Sequence, residues 1–91
     1  MAKSPQRTTP IYPMRTVAQM TELSPQRIRA WEVDYGLIRP HRTNGGHRLF
    51  SQADVERLLW IKHMVQTRGL SLQGVKRLLE GGAAPTAGRG L

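Results

Sequence analysis

The spacing of apolar side chains along the chain predicts four helices. In four segments, apolar residues recur at intervals of three or four, which places them on one face of a helix. These segments are 15–22, 25–35, 51–68 and 72–80. Two short helices joined by the turn Leu23-Ser24 form a helix-turn-helix, and on that interpretation the second helix enters the major groove of a DNA duplex.

Between the second and third helices the pattern changes to that of a short hairpin, at 41–50. Asn44-Gly45-Gly46 forms a turn that tolerates positive φ, and Leu49 and Phe50 return apolar side chains to the core. Another short apolar run, 11–14, is interrupted by Pro13, which limits it to an edge strand or an extended lead-in.

Capping residues set the ends of these elements. Ser24, Ser51 and Ser71 are good N-caps, and each precedes a predicted helix. Gly36 and Gly69 suit the position just after a helix, where glycine accepts a left-handed conformation. The helix boundaries are therefore predicted from local chemistry alone.

Two helices are predicted to bury broad apolar faces. The inward residues of the third helix are Val55, Leu58, Leu59, Ile61 and Val65, and those of the fourth are Leu72, Val75, Leu78 and Leu79. Lys62 falls inside the first of these faces, so its ammonium group must pair with a carboxylate, for which Glu32 is the candidate, or reach solvent. Trp60 and Met64 lie on a different face and either pack against the next helix or form a dimer contact.

The charge of the chain indicates a polyanionic partner. Fourteen Lys and Arg stand against six Asp and Glu, which gives a formal net charge of +8. Nucleic acid is the first expectation and an anionic membrane surface the second. The sequence contains no cysteine, which excludes disulfides and thiolate metal sites. No apolar run approaches the length of a membrane span and no signal peptide is apparent, so a cytoplasmic location is expected.

Catalytic chemistry is not predicted. No paired carboxylates and no Cys/His or Ser/His set occur at a plausible spacing. The Gly45-Gly46 pair lacks the Gly-Lys-Ser/Thr that would follow in a phosphate-binding loop. His41, His47 and His63 show no metal-ligand spacing. The sequence therefore predicts neither an enzyme nor a bound cofactor.

Three segments together are similar to one known family. They are TVAQMTELSPQRIRAWE, GLIRPHRTNGGHRLFS and DVERLLWIKHMVQTRGLSLQGVKRLL. Over Tyr12 to Leu79 the chain resembles the N-terminal DNA-binding domain of MerR-family transcription regulators. The resemblance implies a mainly α fold with a small β-hairpin, namely a winged helix-turn-helix with four helices and two wings. The hairpin is the first wing, and the turn between the third and fourth helices is the second.

The resemblance also implies a set of DNA contacts. The expected residues are Arg15, Gln26, Arg27, Arg29, Trp31, Tyr35, Arg42, His47, Arg48 and Arg68. Gln26 and Arg27 match positions at base edges or adjacent phosphates, and Arg29 and Trp31 match positions near the backbone. In the first wing, Arg42 and Arg48 hold phosphates or enter the minor groove. Arg68 falls near the second wing.

The resemblance implies a transcription regulator that binds an inverted-repeat promoter site in the bacterial nucleoid. A homodimer, and RNA polymerase nearby on the promoter, are the further partners it implies; no membrane partner is expected. Alternative functions are an architectural DNA binder of the excisionase type and the targeting domain of a recombinase. Trp31 and the residues before Gly36 resemble the light- and cobalamin-responsive branch, whereas Gly69 to Lys76 resembles the nitrogen and heat-shock repressor branches.

The domain organisation is predicted as a disordered basic arm at 1–10, the DNA-binding domain at 11–80 and a flexible tail at 81–91. Family members typically carry a long dimerisation helix and an effector domain after the four helices, and neither is present here. Either the chain is part of a longer regulator or it dimerises through other surfaces. Metal-sensing members use cysteines of that additional region, so nothing here indicates metal sensing.

Overall fold

The computed structural model describes residues 6–82, which form four helices and a three-stranded antiparallel sheet. The strands are β1 (Tyr12–Pro13), β2 (His41–Arg42) and β3 (Arg48–Phe50). The helices are α1 (Met14–Thr21), α2 (Pro25–Val33), α3 (Gln52–Gln66) and α4 (Leu72–Glu80). The predicted fold class, mainly helical with a small hairpin, is therefore confirmed.

The sheet places β3 in the centre, between β1 and β2. Tyr12 lies opposite Phe50, and Arg42 lies opposite Arg48. Because β1 is at the edge, Pro13 is tolerated there even though it has no N–H to donate. The expectation of an edge strand at 11–14 is thus confirmed, and β1 connects the start of the domain to the hairpin.

One hydrophobic core is shared by the helices and the sheet. Its buried residues are Val17, Leu23, Ile28, Trp31, Leu37, Ile38, Phe50, Val55, Leu58, Ile61 and Val75. Two residues predicted to face inward do not, because Leu59 is 42% exposed and Leu78 is 38% exposed. The faces that α3 and α4 actually bury are narrower than the apolar stripes in their sequences, so residues at the edges of those stripes remain at the surface.

The predicted capping residues begin the helices as expected. The hydroxyl oxygens of Ser24, Ser51 and Ser71 each accept a hydrogen bond from the backbone N–H three residues later, at 3.1, 3.1 and 3.0 Å. The Ser51 N–H also donates to the Asp54 carboxylate, which completes a capping box. These bonds satisfy N–H groups that the first turn of a helix leaves without partners.

Lys62 has neither of the predicted environments. Its Nζ donates to the backbone carbonyl of Thr21, the last residue of α1, at 2.9 Å. The Glu32 carboxylate is instead bound by hairpin arginines, so the predicted Lys62–Glu32 pair is wrong. The last carbonyls of a helix have no partner within the helix and attract a cation, which explains why Lys62 binds there.

We expect the substitution Lys62→Met to lower the free energy of unfolding by about 1 kcal/mol. Methionine preserves most of the apolar stem but removes the donor, which leaves the carbonyl at the end of α1 without this partner. Urea unfolding followed by circular dichroism measures the change. The matched control is Lys76→Met in α4; equal effects of the two substitutions would mean that the bond to Thr21 contributes nothing.

The N-terminal segment 6–10 is attached to the domain, which corrects the prediction of a disordered arm for these residues. The backbone carbonyl of Arg7 accepts a hydrogen bond from the Ala53 N–H at 2.9 Å, and its guanidinium pairs with Glu56. The start of α3 offers free N–H groups that attract this segment. The rest of the predicted arm, 1–5, and residues 83–91 of the predicted tail lie outside the described residues.

Candidate nucleic-acid interface

Helix α2 turns one face to the core and the opposite face to solvent. Ile28 and Trp31 are 0% and 4% exposed. At about 100° per residue, four residues lie within about 50° of the direction opposite this buried pair. These residues, which we call the outer arc, are Gln26, Arg29, Ala30 and Val33.

The two sides of the outer arc differ in chemistry. Arg27 lies on one flank of α2, exposed to solvent. Glu32 lies on the other flank, and its carboxylate faces the hairpin, as its hydrogen bonds to that hairpin demonstrate. The hairpin therefore borders α2 on the Glu32 side, and Arg27 extends from the far side.

The hairpin has the tight turn that its glycines predict. The Gly46 N–H donates to the Thr43 carbonyl at 2.9 Å, and the Thr43 N–H donates to the His47 carbonyl at 2.9 Å. Gly46 has a φ of 83°, which side chains other than glycine rarely adopt. A turn followed by a left-handed residue is a common three-residue hairpin connection, and it projects the loop away from the sheet.

A pair of ion pairs, which we call the Glu32 clamp, joins the hairpin to α2. Arg42 Nη2 donates to Glu32 Oε2 at 3.1 Å, and Arg48 Nε donates to Glu32 Oε1. The side chains of Glu32 and Arg48 are only 14% and 17% exposed, whereas that of Arg42 is 48% exposed. One carboxylate thus fixes both strands of the hairpin relative to the second helix of the helix-turn-helix.

A groove of about 440 Å³ brings together predicted site residues from separate parts of the chain. It lies between the first turn of α1 and the hairpin, and Arg15, His47 and Arg48 line it. Arg15 and His47 are exposed. The start of α1 and the hairpin therefore present cationic and polar groups to one shared surface.

The structure sorts the predicted site residues by exposure. The exposed ones are Arg15, Gln26, Arg27, Arg29, Arg42, His47 and Arg68, while Tyr35 and Arg48 are half-buried. Trp31 lies in the core, so we withdraw it from the expected contacts. Its position three residues after Ile28 already assigned it to the buried face, because residues at that spacing share one side of a helix.

Val33 of the outer arc was absent from the predicted site. Its side chain is 66% exposed, the highest value among the large hydrophobic residues that the structure describes. The sequence analysis considered charged and polar residues only, which is why Val33 was missed. Helical periodicity would have revealed it, since Val33 lies seven residues after Gln26.

Two other kinds of site were sought in residues 6–82. No group of three His, Asp or Glu side chains there could hold a metal ion. Within the same range, no helix is long and apolar enough to cross a membrane.

A short helix-turn-helix whose second helix is clamped to a basic hairpin defines a winged helix-turn-helix, a class of DNA-binding domain. The model of the MerR HTH family of regulatory proteins matches residues 12–82. The chain belongs to this family.

Three similar proteins from different bacteria carry regulatory names. The chain is 42% identical over 69 residues to the HTH-type transcriptional regulator MlrA of Escherichia coli K12, covering 76% of this chain and 28% of that protein. It is 40% identical over 77 residues to the HTH-type transcriptional regulator GlnR of Bacillus anthracis, covering 85% and 58%. It is 38% identical over 72 residues to a putative heat shock protein, HspR, of Streptomyces coelicolor, covering 79% and 47%. The chain thus matches 28% to 58% of the length of these relatives.

Proposed function

We propose that this chain binds double-stranded DNA sequence-specifically as the DNA-binding domain of a transcription regulator. In this proposal α2 lies in the major groove, and the hairpin contacts the backbone or the minor groove. The observation that carries it is the Glu32 clamp. A recognition helix and a wing that are rigidly joined can contact one duplex together without losing conformational freedom on binding.

The distribution of charge supports the same function. Within residues 6–82, the ion pairs involve only Arg7, Arg42 and Arg48 among the cations. The remaining exposed arginines of the expected surface, Arg15, Arg27, Arg29 and Arg68, form no ion pair with described residues. Such guanidinium groups are available to phosphates, and the release of counterions makes the binding strongly dependent on salt.

We further propose that two copies bind an inverted repeat near a promoter, with RNA polymerase as a neighbour on the same DNA. If the spacing usual for dimeric helix-turn-helix proteins applies, the two recognition helices lie about 34–36 Å apart. The regulatory names of the relatives support this assignment over an excisionase-type or recombinase-targeting function. A cytoplasmic location follows from the proposal, because its target is chromosomal DNA.

Selection of bound duplexes from a random library tests the proposal. We expect enrichment of one motif with two inverted half-sites, and an affinity for it that falls steeply as salt is raised from 50 to 200 mM, by about 10³ or more if six or more phosphates are contacted. The double variant Arg27→Ala/Arg29→Ala should lose the enrichment. The control Lys76→Ala/Arg77→Ala removes the same charge from α4 and should retain it. A library without enrichment would exclude sequence-specific binding, and head-to-tail repeats filled cooperatively would favour an architectural function.

A further inference from the structure

Val33 is an exposed apolar side chain on a surface where the proposed function requires contact with bases. It is 66% exposed, while the other large apolar side chains with substantial exposure, Ile11, Met20, Leu59 and Leu78, belong to other elements. Valine is also a weak helix former, so neither burial nor helix propensity explains its presence at this position. A function on the outer arc is a physical reason for an isopropyl group in water.

We propose that Val33 reads the 5-methyl group of a thymine in the major groove. The inference rests on the proposed function and adds a specificity-determining residue to it. Thymine alone among the four bases presents a methyl group in the major groove, and apolar side chains are its natural partners. Burial of the isopropyl group against this methyl removes apolar surface of both molecules from water.

The neighbours of Val33 fit such a contact. Ala30 lies one turn earlier on the outer arc, and its small side chain allows the helix to approach the bases closely. Gln26 lies seven residues before Val33, about 10 Å along the helix axis, and successive base pairs are separated by about 3.4 Å. The polar Gln26 and the apolar Val33 therefore match bases about three positions apart.

The backbone that carries Val33 is well fixed. The Asp34 N–H donates to the Ala30 carbonyl at 2.8 Å, and the Gly36 N–H donates to the Glu32 carbonyl at 3.0 Å. Glu32 itself is held by the two hairpin arginines. The end of α2 is thus ordered before DNA arrives, which is the condition for an apolar contact to discriminate between bases.

Replacement of thymine by deoxyuridine isolates the methyl group. In the duplex obtained by selection, each thymine is replaced in turn, and the affinities of the wild-type chain and of Val33→Ala are measured. We expect one thymine per half-site at which the wild-type chain loses affinity about fourfold, as for one buried methyl group. Val33→Ala should bind the thymine duplex more weakly and show no loss at that position. Val33→Ile keeps an apolar side chain and should remain sensitive.

Leu59→Ala is the matched control, because it truncates another exposed apolar residue on α3, and its pattern of sensitivity should equal that of the wild-type chain. If the wild-type chain tolerates every replacement, or if Val33→Ala keeps the same sensitive position, the inference is wrong while the proposed function stands. If no duplex is selected at all, the proposed function fails, and this inference fails with it. Circular dichroism of Val33→Ala establishes that its altered binding does not come from unfolding.

Discussion

Glu32→Gln is expected to lower the free energy of unfolding by about 2 kcal/mol, which is a large effect for one exchanged atom. A carboxylate accepts from Arg42 and Arg48 at once, one through each oxygen. A glutamine side chain offers a single oxygen and turns an NH₂ group toward the other arginine. Since Arg48 is only 17% exposed, water cannot fully replace the lost partner.

Chemical denaturation measures the loss, and Glu80→Gln is its control, because Glu80 is exposed on α4 and takes part in none of the ion pairs described here. The double variant Glu32→Gln/Arg48→Gln should recover part of the stability, because it removes the buried guanidinium as well as the carboxylate. If Glu32→Gln and Glu80→Gln have the same small effect, the clamp does not stabilise the hairpin.

The same substitution separates folding from DNA recognition. A hairpin released from α2 loses its backbone contacts, so affinity should fall by a similar factor on the preferred and on scrambled duplexes. Arg42 retains donors for a phosphate even while it binds Glu32, because a guanidinium carries five N–H groups. We therefore expect Glu32 to position the hairpin without itself reading sequence.

Arg29→Ala is expected to weaken binding to the preferred duplex about 10- to 100-fold, with a much smaller loss on scrambled DNA. Arg29 is exposed on the outer arc, where its guanidinium can bind two acceptors of a guanine edge. This expectation differs from the backbone role that the family resemblance implies, because the helical phase turns Arg29 away from the core. Competition titrations with preferred and scrambled duplexes give the two losses.

Arg27→Ala is the informative comparison for this second prediction. Arg27 extends from the flank of α2, where a phosphate contact would weaken both duplexes alike and reduce the salt slope by about one. Arg77→Ala on α4 removes an equal charge away from α2 and should change little. Equal losses on both duplexes for Arg29→Ala would return Arg29 to the backbone and leave base reading to Gln26 and Val33.

Local chemistry made much of this protein legible in advance. The serine caps, the glycine turn of the hairpin and the apolar stripe of α2 each depend on residues within a few positions of one another. Their hydrogen bonds form wherever the chain permits them, so the sequence alone predicts the four helices, the hairpin and the order in which they occur. Charge and the helix-turn-helix pattern then pointed to DNA before any coordinates were considered.

Tertiary structure decided which groups meet across the chain. Glu32 binds residues 10 and 16 positions away, and Lys62 binds a carbonyl 41 positions away. No periodicity specifies such partners, because a carboxylate or an ammonium group satisfies its charge with whichever complementary group the packing brings near. The sequence determined which elements form, and packing determined that the wing is clamped to the recognition helix, that Lys62 completes α1, and that Val33 is left facing outward.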